Sequence, residues 1–501
     1  MKSEFSEDTY YAEYKKIRNR IRKYTQNQIR DFSLNYLVND KDVEGGNRPW
    51  IAFLLLKWLY VENHNFSGKK LDQQKFDYLL WQIQDLAQYG RMPSDYDHYY
   101  LFFRSLSYQQ FIFQLEVNHF DMSRQLILFS EIDRGLDAVF KREVGISTRQ
   151  FIEIAFLVLC HQFTEKSRWI HPRWFSPIFY RYPKIEIETV LDLLSVPVES
   201  LRDYLVRDSS TRRSSKEYYE QTPFSNYPFL KAQDPRNSLG YLCLNKNLLY
   251  RSFESFIYDF LKKACPQKFH QKFGAMLELY IRRILDSAKL DYRDENYLKK
   301  HRIANEKIVD FVIEEANCDI FIDSKSVEMS AAGKVAHDFE TITRATEKIR
   351  KALAQSHSAR RILDRLVGRP KKLKSYIIVI TFKEMFVGSG SNFSEITNEK
   401  DAKDLKENYG PSYIDPSNVF VMTIRDFERL VTNLKDVDGG IGGFLERVRN
   451  AELSAERINK KFHFELHLKE AGHYRYPDFL HEKYQEMVDD IVEEFRKSTA
   501  Q

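Results

Sequence analysis

Seven consecutive residues, Tyr376–Phe382, read Tyr-Ile-Ile-Val-Ile-Thr-Phe. β-Branched and aromatic residues dominate and no charge interrupts the run, so it predicts a strongly buried strand. Three further apolar runs read as strands: Ile308–Ile313, Ile320–Val327 and Val419–Thr423. An amphipathic helix is expected over Phe273–Ser287, a long and mostly helical stretch over Ile342–Val367, and a helix over Ile424–Leu434, directly after the last strand. Short apolar strands mixed with helices predict an α/β domain over residues 265–450.

The chain before this domain has a different pattern. The stretches Glu7–Leu37, Trp50–Tyr60, Leu71–Gln88, Tyr99–Glu116 and Arg149–Phe163 have helical length and spacing. Pro183 leads into Ile185–Leu194, and Pro197 opens a helical turn through Leu205. No strand or hairpin signal and no repeat of fixed period stands out. Residues 1–207 are therefore expected to form a mostly α-helical N-terminal domain, a plausible sensor or partner-binding module. Asp208–Lys216 is polar and reads as an exposed linker; Pro223, Pro228 and Pro235 predict an extended or looped Gln221–Gly240; Asn247–Ala264 follows as a helix. Residues 208–264 thus read as linker and connector helix. Residues 451–501 read as a charged helical tail with a His- and Tyr-rich turn at His473–Pro477.

With 501 residues the chain is too long for one simple core. Lys and Arg number 77 against 72 Asp and Glu, a net charge of +5. That balance permits nucleic-acid binding without arguing for it, so any such case rests on local clusters. Cys160, Cys243, Cys265 and Cys318 form no Cys-x-x-Cys pair and no zinc pattern, and read as reduced, buried thiols. The acidic, polar start is no signal peptide. Trp50–Val61 and Phe151–Cys160 are the most apolar stretches; they carry Lys57 and Glu153, are far short of a membrane span, and read as buried helices. The expectation is a cytoplasmic protein with no membrane partner.

Chemistry concentrates in two of the strands. Asp319-Ile-Phe-Ile-Asp-Ser-Lys-Ser-Val327 places Asp323 and Lys325 on one side, because side chains alternate along a strand. Lys307-Ile-Val-Asp-Phe-Val-Ile313 places Asp310 inside an apolar strand, where an ionised group needs a partner. Adjacent strands would gather Asp310, Asp323 and Lys325 at one end of a sheet. Two carboxylates hold Mg²⁺ or Mn²⁺ through oxygen. Such a metal polarises a phosphate and lowers the pKa of a bound water, and an ammonium orients that water and offsets developing charge. Glu278, in Phe273-Gly-Ala-Met-Leu-Glu-Leu-Tyr-Ile281, can add a third carboxylate from a helix beside the sheet.

Glu278, then Asp310, then Asp323-Ser324-Lys325 resemble the PD-(D/E)XK nuclease superfamily over roughly residues 266–449. In that family a helical acidic residue precedes an Asp ending one strand and a D/E-x-K on the next; here Val309 stands where the motif has proline. The resemblance implies a restriction-endonuclease-like core, a mixed central sheet flanked by helices, and divalent-metal catalysis. Glu278, Asp310 and Asp323 would then be metal ligands, Lys325 would position the water, and Lys348 would be an accessory residue. Tyr376–Phe382 and Val419–Leu434 would be the later strands and the closing strand–helix unit. Residues 223–280, a proline- and aromatic-rich segment leading to the Glu278 helix, look like bacterial nucleases carried on mobile elements, often in phage defence. The expected activity is metal-dependent hydrolysis of phosphodiester bonds in nucleic acid, DNA or RNA, in bacterial anti-phage defence. The expected partners are nucleic acid and, at the N-terminal helical domain, a phage protein or other trigger. The alternatives are cleavage of a structured RNA such as tRNA on the same fold, or a catalytically silent sensor or scaffold that binds protein or nucleic acid.

Several other features carry readings of their own. Arg360, Arg361, Arg365, Arg369, Lys371, Lys372 and Lys374 form the densest basic stretch and are candidates for phosphate contact. Arg212 and Arg213 read as solvated linker charge. A ribonuclease of the helical Arg–His type would need Arg91 and His98, but Met-Pro-Ser between them makes a loop. His161 and His171 read as packing or hydrogen-bonding residues. Gly439-Gly440 and Gly442-Gly443 read as a flexible turn before a helix, without the Lys-Ser/Thr of a phosphate-binding loop.

Overall fold

Most of the chain is helical, and its strands gather into two small sheets, one in each of two units. The first unit comprises Met1–Ser94, Ser105–Cys265 and Lys483–Gln501, and the second Asp95–Arg104 and Pro266–Glu482. The computed structural model describes all residues except 1–5, 39–47, 63–67, 90–98, 114–117, 166, 208–212, 304, 389–392, 394–398, 436, 455, 457–460, 462 and 500–501. Arg91, His98 and Arg212 therefore lie outside the described residues.

In the first unit, the expected Glu7–Leu37 helix is two, Glu7–Ile21 and Gln26–Val38. Between them Tyr24 pairs with Lys69. Helix Pro49–Val61 is buried nearly all round, Lys57 included. A buried ammonium needs compensation, and Lys57 finds Glu217 at 3.0 Å and Glu220 at 2.8 Å. In helix Thr148–Thr164, which opens with a Ser147/Gln150 capping box, buried Glu153 accepts from Arg149 (2.8 Å) and the Tyr182 hydroxyl (2.6 Å). No single described helix is long and apolar enough to cross a membrane. All four cysteines are free; Cys243 and Cys318 are buried, whereas Cys160 is exposed, contrary to expectation, because it lies on the outer side of its helix.

This unit also holds a sheet that the helical reading missed. Its strands are β1 (Trp169–Ile170), β2 (Ser195–Pro197), β3 (Phe229–Gln233) and β4 (Leu239–Cys243), in the order β1-β4-β3-β2. The segment expected to be looped therefore contains a hairpin. Asp234 closes its turn, accepting from the backbone N–H of Arg236 (2.9 Å) and Ser238 (2.8 Å), with Asn237 left-handed at φ 62°. Two apolar runs around Asp-Pro-Arg-Asn-Ser were the available signal. Arg213 is no solvated linker charge either: it forms an ion pair with buried Glu62 at 2.9 Å.

The second unit is built on β5 (Tyr292–Asp294), β6 (Phe311–Glu314), β7 (Cys318–Lys325), β8 (Lys374–Thr381) and β9 (Val419–Thr423), hydrogen-bonded in that order. β5, β6 and β7 pair antiparallel; β7, β8 and β9 run parallel. Ile320, Phe321, Ile322 and Asp323 are all buried, as are Ile377–Ile380. Because side chains alternate, both faces of the central strands are covered. Helix Pro266–Ser287 precedes the sheet, Glu347–Asp364 joins β7 to β8, and Ile424–Leu434 follows β9 from a Thr423/Asp426 capping box.

The glycines before helix Gly440–Leu453 have a packing role. Gly439 and Gly440 are left-handed, at φ 84° and 57°. The Glu315 carboxylate sits at the helix N-terminus and accepts from Ile441 N–H (2.9 Å) and Gly442 N–H (3.0 Å). A Cβ on Gly442 would lie 2.3 Å from Cys318 Sγ and 2.7 Å from Glu315 Oε2. This N-terminus is thus filled by the protein's own anion.

Candidate active site

β6 begins at Phe311, so Asp310 stands one residue before the strand rather than inside it. The site still forms, because β6 and β7 are antiparallel. Phe311 pairs with Ile322, so Asp310, at the start of β6, is level with Asp323, near the end of β7. The Asp310 carboxylate accepts two hydrogen bonds from Ser324, one from its N–H and one from its Oγ, both at 2.7 Å. Burial pushes the Asp310 carboxyl up, against the pull of the Ser324 bonds and Lys325.

Asp323 is fully buried on β7. Its carboxylate forms an ion pair with the Lys325 ammonium, two residues along the same face, yet neither oxygen receives a well-directed hydrogen bond. Burial first, and the nearby Asp310 charge second, push this carboxyl up to about 7, with Lys325 opposing. Lys325 donates to Gln355 Oε1 at 3.0 Å, and Gln355 Nε2 donates to the Ile308 carbonyl at 2.8 Å. Gln355 therefore ties the ammonium to the segment that leads into Asp310.

Glu278 lies on helix Pro266–Ser287, with its side chain toward solvent. Partial desolvation, Asp310 and Glu295 push it up to about 7, while Lys325 and Lys299 oppose. It thus shares an electrostatic neighbourhood with the strand carboxylates. Among the described residues, no three or more His, Cys, Asp or Glu side chains are drawn together as a metal cage. Lys348 is near the motif by another route: its Nζ donates to the Ser326 carbonyl at 3.3 Å.

Glu295, Lys299, Ser324 and Gln355 were missed. Gln355 had a usable signal, since it lies seven residues after Lys348 and therefore on the same side of one helix. Glu295 and Lys299 sit on the short helix Glu295–His301, which no periodicity marked.

The Lys374 end of the basic stretch lies away from this site. Lys374 opens β8 opposite Cys318, whereas Lys325 is opposite Thr381; at roughly 3.3 Å per residue these ends of β7 stand about 23 Å apart. Its side chains are also largely engaged within the unit. Arg360 donates to the Tyr413 carbonyl (2.9 Å), Arg361 and Arg365 pair with Glu306 (3.3 and 2.6 Å), and Arg369 pairs with Glu314 (3.1 Å) and Asp319 (2.6 Å). Lys372 donates to the Ala316 carbonyl (2.8 Å), and Lys374 pairs with Glu446, while Lys371 is exposed. Arg369, Lys372 and Lys374 tie together the far end of the sheet, whereas Arg361 and Arg365 hold Glu306, four residues before Asp310.

The two histidines are structural. In the first unit, His161 packs against Trp174 with ring centroids 4.5 Å apart, and buried His171 lies 3.2 Å from both the Leu239 carbonyl and Asp234.

Neither any protein-family model nor any curated protein matches the chain.

Proposed function

We propose that the second unit is a divalent-metal-dependent nuclease that hydrolyses phosphodiester bonds in nucleic acid. The observation that carries this reading is the meeting of Asp310, Asp323 and Lys325 at one end of β6 and β7, within the electrostatic reach of Glu278. The strand arrangement, an antiparallel β5-β6-β7 followed by parallel β8 and β9, supports a restriction-endonuclease-like core.

The donors suit a hard cation. All are carboxylate oxygens, and the buried Asp323 carboxylate, short of hydrogen bonds, is charge-compensated by the Lys325 ammonium. Mg²⁺ keeps several of its waters and binds through one or two carboxylates, so a closed protein cage is not required. Asp310 and Asp323 would hold the ion, with Glu278 assisting. When bound, it would polarise the phosphate and acidify a water. Lys325, fixed by Gln355, supplies positive charge where the phosphate gains negative charge. Glu278, balanced near neutrality, can take up or release a proton at its carboxylate.

The test is cleavage of plasmid DNA and of total tRNA by purified protein, with Mg²⁺ or Mn²⁺ and with EDTA, beside Lys325→Ala. Metal-dependent cutting that the variant lacks supports the reading and names the substrate class. Cutting that survives in both Asp310→Ala and Lys325→Ala sinks it. Binding without cutting at any metal concentration favours a silent scaffold. The defence role belongs to the same proposal: cells expressing the parent chain, but not Lys325→Ala, should reduce phage plaques.

A further inference from the structure

On the first unit, two aromatic rings and a guanidinium form a stack in solvent. Tyr78 and Trp81 are one turn apart on helix Gln73–Asp85, with centroids 5.6 Å apart and planes within 21°. Arg20, at the end of helix Glu7–Ile21, lies 4.5 Å from the Tyr78 centroid. Phe76, Leu79, Leu80 and Ile83 of the ring helix are buried, whereas Tyr78 and Trp81 are 47% and 54% exposed. The core thus takes one side of this helix and leaves the rings in water.

Cations outnumber carboxylates beside the rings, although Glu13 pairs with Lys16 and Asp31 with Arg30. Tyr14–Arg30 holds seven Lys or Arg and no Asp or Glu. Lys69 N–H donates to the Lys23 carbonyl at 2.8 Å, which brings exposed Lys69 and Lys70 next to exposed Lys23. The ring helix and its cap contribute three carboxylates. Asp72 is paired with Lys75, Asp77 accepts from Gln73 at 2.8 Å, and Asp85 stands in the last turn.

We propose that this surface binds single-stranded nucleic acid, a base stacking on the exposed ring of Trp81 and phosphates running over Lys23, Lys69 and Lys70. Every base offers a π face, and a stack already capped by a guanidinium is extended by one more planar group. The cations supply a sequence-independent hold on the backbone. A duplex keeps its base faces inside its own stack, and an acidic peptide would use the cations but leave the rings idle. This goes beyond the cleavage reading, since neither Asp323 nor Lys325 takes part.

The test uses the full chain carrying Lys325→Ala, in EDTA, so that binding is read apart from cleavage. Fluorescence anisotropy follows labelled oligo-dT and oligo-rU of about 20 nucleotides, long enough for one site, and a blunt DNA duplex of the same length. Both single strands should bind, more weakly as salt rises, and better than the duplex. Trp81→Ala should loosen single-strand binding roughly tenfold and leave the melting temperature unchanged, because the ring is exposed; Arg20→Ala should loosen it as well. No binding by the parent, equal binding by both variants, a preference for duplex, or full displacement by poly-glutamate would each overturn the proposal. Binding that persists in a chain that never cuts counts against the nuclease reading alone.

Discussion

Ser324 holds Asp310 through two hydrogen bonds to one carboxylate oxygen, from its N–H and its Oγ, each 2.7 Å long. The middle residue of Asp323-Ser324-Lys325 thereby fixes the carboxylate across from it. Ser324→Ala removes one bond and keeps the other. It should cost about 1 kcal/mol of stability and lower cleavage without abolishing it. Asp310→Asn, of the same shape, should abolish cleavage with the fold intact. Thermal melting beside the plasmid and tRNA assays checks both, and an Asp310→Asn variant as active as the parent contradicts the assignment.

Gln355 links Lys325 Nζ to the Ile308 carbonyl. Gln355→Leu keeps the volume and deletes both contacts, leaving Asp323 as the ammonium's partner among the described residues. Partners that orient a metal site typically contribute about 10- to 100-fold in activity. Here kcat should fall within that range with KM nearly unchanged, beside a stability loss of about 1–2 kcal/mol for the two lost hydrogen bonds. A fall in stability with unchanged kcat would mean that Gln355 serves packing only.

How much of this was legible depends on which physics speaks along the chain. Ile377–Ile380 and Ile320–Ile322 are buried on both faces, and such strands announce themselves as unbroken apolar runs. Asp310 and Asp323-Ser324-Lys325 could be found because charge inside an apolar strand is conspicuous. The β3-β4 hairpin was hidden because Pro228 and Pro235 suggested a loop, although Pro235 lies in the turn and Pro228 precedes the strand. The basic stretch misled for a different reason: Arg365 and Arg369 find partners in Glu306, Glu314 and Asp319, some 50 to 60 positions away, and charge density in sequence carries no record of them. Gln355 is a polar residue on a helix, and only the fold tells it from any solvated glutamine.

Glu315 caps the Gly440–Leu453 helix from another segment. Glu315→Ala would leave two N–H groups without their carboxylate and should cost about 1 kcal/mol, the usual loss for a capping side chain. Gly442→Ala should cost more, because its Cβ would meet Cys318 Sγ at 2.3 Å as well as Glu315, and overpacking of this kind typically costs about 1–3 kcal/mol. Cys318→Ala should restore part of the loss by making room. Denaturant melts of the two single variants and the double variant measure this; additive effects would place the strain elsewhere.

The Glu306 carboxyl is held down to about 2, mainly by its hydrogen bond to Arg365. A carboxyl depressed in the folded chain binds fewer protons there than in the unfolded chain, so it adds stability at neutral pH. That contribution is lost as pH falls from about 4.3, the ordinary glutamate value, through about 2. Arg365 is about one-third exposed, so screening keeps the effect near 1 kcal/mol. Glu306→Gln should be less stable than the parent at pH 7, and the gap should narrow by pH 3. A gap that is constant across this range would assign the loss to packing.

Asp323 has the opposite sign. Its folded carboxyl is pushed up to about 7, so between the ordinary value near 4 and 7 the folded chain holds a proton that the unfolded chain has released. Stability then falls as pH rises through this window, by an amount on the order of a few kcal/mol in the absence of a cation. Asp323→Asn lacks this loss and should gain on the parent between pH 5 and 8. A divalent cation bound by Asp310 and Asp323 must displace the proton, so its affinity should grow with pH over the same window. The rise in melting temperature on adding Mg²⁺ or Mn²⁺ should therefore be larger at pH 8 than at pH 6, and absent in Asp323→Asn. Equal rises at both pH values, or a rise that persists in the variant, would place the cation away from β6 and β7.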